Sequence, residues 1–160
     1  MVKRLISKGI IYLLVFVFSL LSAFSQSEKD SLLNRLRVAK NDTERVDRMN
    51  KLAWYYVFSY IDTSIQIAKQ SLKLAKSISY SSGEGESYVL LVLGLSQTGN
   101  FAESAAFGLE GISAMEKARD TLSLAALFNN MMICYRDQED YVTALDYGYR
   151  AMNLRRVLTC

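Results

Sequence analysis

Beyond Ser27 the apolar and polar positions of this chain follow a helical rhythm that returns along its length. Tyr141, Ala144, Leu145, Gly148, Ala151 and Met152 recur at steps of three and four, one face of a 3.6-residue period. Residues 125–135 carry apolar side chains at similar steps, and the polar run Asp137-Gln138-Glu139-Asp140 separates the two stretches. A matching break stands at Gln97-Thr98-Gly99-Asn100, where Gly99 can take the left-handed conformation that closes a helix. The pattern predicts helix, short turn, helix.

A shift of 40 residues superposes the sequence on itself twice. Ile61, Phe101 and Tyr141 then share a column, as do Ser64, Ser104 and Ala144; Ala68, Gly108 and Gly148; Ser71, Gly111 and Ala151; and Leu72, Ile112 and Met152. Large stays with large and small with small. A second, looser set joins Tyr55, Leu95 and Tyr135, and Leu52, Val92 and Met132. Small residues at three positions of a second helix let the first helix approach closely, and one such hairpin cannot bury both of its faces, so stacking into a solenoid is expected.

The first 25 residues follow another rule. Lys3, Arg4 and Lys8 precede an uncharged apolar stretch from Gly9 to Phe24, and Ala23-Phe24-Ser25 has the small-x-small form of a signal-peptidase site. The segment reads as a secretory signal over residues 1–25, with an uncleaved membrane anchor as the alternative, although Ile10 to Phe24 is shorter than the roughly 20 residues that span a bilayer. Either way the remainder is expected on the far side of the membrane, in the periplasm. Three of the 19 basic residues and none of the 16 acidic ones lie in the signal, which leaves 16 against 16. The formal charge of +3 therefore belongs to export and does not suggest nucleic acid. Arg150, Arg155 and Arg156 read as a basic last turn complementing the helix dipole.

With 51% hydrophobic residues and no Pro, the class expected is all-α. Residues 128–154, with Tyr135, Tyr141, Ala144 and Ala151 at signature positions, resemble a tetratricopeptide repeat, and so does the stretch from Leu91 to Met115. The resemblance covers about residues 45–157 and implies a right-handed α-α superhelix of hairpins over 45–84, 85–124 and 125–160, preceded by a capping helix over 28–44. The period exceeds the family's usual value of about 34, as in long-repeat forms of bacterial signalling proteins, and residues 30–54 resemble the entry of exported sensors of the Bacteroidetes type. The chain departs from the family at Leu52, Val92 and Met132, where a small residue is usual, and at Ser59 and Glu139, where Gly is.

By that resemblance the first helices line a binding groove through Met49 and Tyr56, then Val89, Leu93 and Gln97, then Asn129, Ile133 and Arg136. A mixed apolar and amide groove implies a protein or peptide partner. The family's carboxylate-clamp positions fall on Met49, Ala53, Leu90, Ala126 and Asn130, which predicts no clamp. Adjacent Asn129 and Asn130 inside a helix cost stability unless their amides bind a ligand or bond within the solenoid. Enzyme chemistry, cofactors and metals are not expected: there is no His, no nucleophile elbow and no phosphate loop. Gly83-Glu84-Gly85 reads as a flexible link between units, and the carboxylate pairs Glu84/Glu86 and Glu139/Asp140 as solvated or helix-start charges. Cys134 reads as a buried small hydrophobe, and Cys160 as a terminal thiol that could pair with another chain. The last helix carries Leu145, Tyr149, Met152 and Val157 where an end face should be polar. Two roles follow: the N-terminal sensor part of a signal-transduction protein, or a periplasmic adaptor that self-associates through its C-terminal helix.

Overall fold

The computed structural model describes residues 29–158; the expected signal over residues 1–25 lies outside them. The chain divides into two units, the first ending at Val38, where residues 29–37 are helical. The second holds α1 (Asp42–Tyr56), α2 (Ile61–Ser77), α3 (Ser81–Gln97), α4 (Phe101–Ala118), α5 (Thr121–Asp137) and α6 (Tyr141–Leu158). Each helix packs on the next, giving an all-α solenoid of three hairpins. The leading helix expected over 28–44 is interrupted, because the Asn41 side chain accepts the Glu44 amide at 2.8 Å and starts α1 at Asp42. Hairpins consequently begin at 42, 81 and 121, a few residues before the expected 45, 85 and 125.

The turns reveal a shorter period inside the 40-residue one. Ser79, Gly99, Arg119 and Glu139, 20 residues apart, all have positive φ between 55° and 75°. After each, the next amide returns to the carbonyl five residues back, as in Tyr80 to Ala75 at 2.9 Å and Asp140 to Tyr135 at 3.0 Å. This is the six-to-one bond of a Schellman stop. Only Gly99 adopts that backbone without the cost a Cβ imposes. Asp120 and Asp140 then cap the following helices, accepting the amides of Ser123 at 3.0 Å and Thr143 at 3.1 Å.

The buried face is shared by both helices of each hairpin. Ser64 and Ser104, in one sequence column, donate from their hydroxyls to the carbonyls of Ala53 and Val92 on the preceding helix, at 2.7 and 2.9 Å. The small columns admit the following hairpin as well as their own: a Cβ on Gly108 would collide with Met131 Sδ of α5, and one on Gly148 would meet Met132 Sδ of the same hairpin at 3.1 Å. Gly83 and Gly85 are not a link. They lie within α3, buried against Val46 and Tyr80 on one side and Met115 and Ser123 on the other. Such contacts leave no room for side chains.

α3 is the centre of the stack. It packs against α1, α2, α4 and α5, which is why Tyr88, Val89, Leu90, Leu91 and Val92 are all buried despite pointing around the whole circumference. The first helices α1, α3 and α5 pack on one another directly. The second helices do not, and α2 reaches α4 instead through exposed ion pairs, Lys69 to Glu103 at 2.7 Å and Lys76 to Glu110 at 2.5 Å. Such pairs contribute at most about 1 kcal/mol each.

Candidate functional site

The accessible side chains of the first helices form the candidate site. Leu93 and Gln97 on α3, and Asn129, Ile133 and Arg136 on α5, are half-buried or exposed, as a groove lining requires. Met49, Tyr56 and Val89 are corrections to that lining, being core residues. α1 packs directly on α3, and the exposed positions of α1 lie elsewhere, Trp54 among them. Of the clamp positions, Ala53 and Leu90 are fully buried.

The two asparagines of α5 have separate fates. The Asn130 amide donates to the Val89 carbonyl of α3 at 3.1 Å, so it holds the solenoid together. Asn129 is half-exposed, and among the described residues its side chain has no hydrogen-bond partner. It lines a cavity of about 280 Å³ between α5 and α6, with Met132, Gly148, Ala151, Met152, Arg155 and Arg156 around it. The cavity pairs an apolar floor with an amide and two guanidinium groups.

Sequence reasoning missed the polar cluster at the α1–α3 contact. Trp54 keeps 37% of its surface exposed there. Glu86, expected to be solvated with Glu84, is half-buried, and burial raises its pKa above the ordinary carboxylate value while the Asn50 amide and the Trp54 side chain pull it down and Asp47 pushes it up. Asp47 in turn accepts the Tyr80 hydroxyl at 2.9 Å. One signal was available: Trp54 is the sole Trp of the sequence and sits on a helix whose buried face is formed by Val46, Met49, Leu52 and Tyr56.

A carboxyl whose folded-state pKa is raised binds its proton more tightly in the folded chain, so its contribution is favourable below the unfolded value and is lost as pH rises through the folded one. Glu86→Gln should therefore stabilise the chain at pH 7, by no more than about 1 kcal/mol because the site is partly solvated. Thermal unfolding at pH 7 and pH 4 checks this: the gain should shrink at the lower pH, and an equal gain at both would assign it to something other than charge.

Cys134 is fully buried on α5. Among the described residues no cluster of His, Cys, Asp and Glu is placed to hold a metal ion, and no helix is long and apolar enough to cross a membrane. The chain matches no protein-family model and no curated protein.

Proposed function

We propose that this chain is a tetratricopeptide-type module that binds a protein or peptide along its first helices, exported to the periplasm as the sensor part of a bacterial signal-transduction protein. The observation that carries the reading is the row of accessible groups on packed first helices: Trp54 and Glu86, then Leu93 and Gln97, then Asn129, Ile133 and Arg136. Apolar groups there give a peptide something to bury, and the unbonded Asn129 amide offers a donor and an acceptor to its backbone. Glu86 beside Trp54 suits a Lys or Arg side chain, paired with the carboxylate and lying on the indole. Extended or helical peptides with one apolar and one basic anchor fit this chemistry. The export part of the proposal rests on the charged and apolar pattern of residues 1–25.

Selection from a random displayed peptide library tests the site. Peptides so obtained should bind with micromolar affinity and lose at least about tenfold, or 1.4 kcal/mol, when Leu93→Glu and Ile133→Glu are combined. Leu109→Glu, on the exposed side of α4, should leave binding unchanged. Selected peptides that bind all three proteins equally, or a library that yields none, would refute the groove.

A further inference from the structure

The turns inside the three hairpins stand at corresponding positions of the repeat, and the first is unlike the other two. Gly99 and Glu139 follow α3 and α5 with positive φ, and the tips they form are polar, Thr98-Gly99-Asn100 and Gln138-Glu139-Asp140. The equivalent tip of the first hairpin is Phe58-Ser59-Tyr60. Ser59 does not take the left-handed backbone, and the Tyr60 amide returns to the carbonyl of Tyr56 at 2.8 Å, four residues back instead of five. Phe58 and Tyr60 are 78% and 63% exposed. Asn100, the counterpart of Tyr60, is exposed although a hairpin packs on either side of its own, so the exposure belongs to the turn and not to a missing neighbour. The Tyr60 ring is braced edge-on by the buried Tyr56 ring, with centroids 5.7 Å apart. Two aromatic rings are thus held out where the repeat elsewhere places Thr, Asn, Gln and Asp.

Charge narrows what the rings can meet. From Met49 to Ile61 the sole charged residue is Lys51, whereas the third tip is bounded by Asp137, Glu139 and Asp140. Asp62, next along the chain, sits in the first turn of α2, where the helix dipole offsets it. Exposed rings beside a cation, with no carboxylate among them, suit the interface of a bilayer, where rings lie at headgroup level. We propose that Phe58 and Tyr60 rest in the headgroup layer of the bilayer that the apolar stretch from Gly9 to Phe24 enters, so that the first hairpin stands on the membrane by its tip. Two rings are too little to hold a protein there, since stable attachment takes two signals, and the apolar stretch is the second for as long as it is retained. The proposal therefore rests on the export reading of residues 1–25 and not on the peptide groove. The chain has the reach: the tip lies one length of α1, about 22 Å, from the point where α1 begins, and residues 25–41 can span more than that with 29–37 helical.

Because Trp54 is the sole Trp, a single indole can be moved along the chain to report on lipid. In a Trp54→Phe background, Phe58→Trp puts it at the tip and Leu109→Trp on the exposed side of α4. The full chain is reconstituted into vesicles of phosphatidylcholine with brominated acyl chains, which quench an indole only at close range, and compared with vesicles of the unbrominated lipid. Phe58→Trp should lose most of its emission in the brominated vesicles, Leu109→Trp should keep its own, and adding Tyr60→Asn to Phe58→Trp should weaken the quenching while helical circular dichroism stays unchanged. No quenching at position 58, or equal quenching at 58 and 109, would overturn the membrane contact and leave the N-terminal attachment and the groove standing. A full chain that does not float with the vesicles would overturn it together with the attachment on which it depends. Emission at position 58 that responds to groove-selected peptides but not to brominated lipid would give the tip to the protein partner instead.

Discussion

Replacing Gly111 with Leu should destabilise the chain by about 2–3 kcal/mol, although the same change in an open helix would stabilise it. Two effects compete. Leu is the better helix former by about 0.8 kcal/mol. Against this, a Cβ at position 111 would lie 2.8 Å from Tyr88 Cγ, 2.9 Å from Tyr88 Cβ and 3.1 Å from Leu127 Cδ1. The Tyr88 atoms are the root of a fully buried ring, not the free end of a flexible chain, so relief requires α3 and α4 to separate. Overpacking of this kind costs about 1–3 kcal/mol and occasionally more. Gly148→Ala provides the opposite case in the adjacent small column. Its nearest neighbour is the thioether of Met132 at 3.1 Å, which can swing aside, so the helix propensity should win by about 0.5–1 kcal/mol. Urea unfolding followed by circular dichroism, with hydrogen exchange to resolve the hairpins, compares the two. Equal signs at both sites would show that close approach is not what keeps position 111 small.

The parts of this architecture legible in the sequence were those set by side-chain volume. Columns such as Leu72/Ile112/Met152 and Ala68/Gly108/Gly148 revealed the period because packing constrains size at every repeat. Helix ends were less legible, since three of the four left-handed stops fall on Ser79, Arg119 and Glu139, residues that do not advertise that backbone. The 20-residue period of the turns was invisible for the same reason. Gly83 and Gly85 misled in the other direction: glycine signals either freedom or crowding, and only the position of Val46 and Met115 decides between them. Of the residues expected to line a groove, Leu93, Gln97, Asn129, Ile133 and Arg136 are accessible, whereas Met49, Tyr56 and Val89 are buried, and α1 and α3 also meet through a buried polar contact at Asn50 that the apolar pattern does not mark.

Removal of that contact is expected to cost about 2–3 kcal/mol in Asn50→Ala. Asn50 is fully buried on α1. Its amide donates to the Gly83 carbonyl at 3.0 Å and reaches Glu86 Oε2 at 3.4 Å, while its carbonyl accepts the Ser87 hydroxyl at 2.9 Å. Each net hydrogen bond is worth about 1 kcal/mol, and the emptied side-chain volume adds a cavity term. Ser87 is not stranded, since its hydroxyl also donates to the Gly83 carbonyl at 2.7 Å, and Gly83 keeps that donor. Glu86 loses more. Without the Asn50 amide its half-buried carboxylate has one donor fewer, and its pKa should rise further from a value burial already raises. The penalty of Asn50→Ala should therefore shrink as pH falls and Glu86 becomes protonated, and Glu86→Gln in the same chain should recover part of it. Asn130→Ala, 80 residues later, removes a single bond to Val89 and should cost about 1 kcal/mol with no such pH dependence. A double-mutant cycle at Asn50 and Glu86, measured at pH 7 and pH 4, separates the two terms. Strict additivity at both pH values would mean that Asn50 acts only through the α1–α3 backbone, and that the carboxylate beside Trp54 is poised by burial alone.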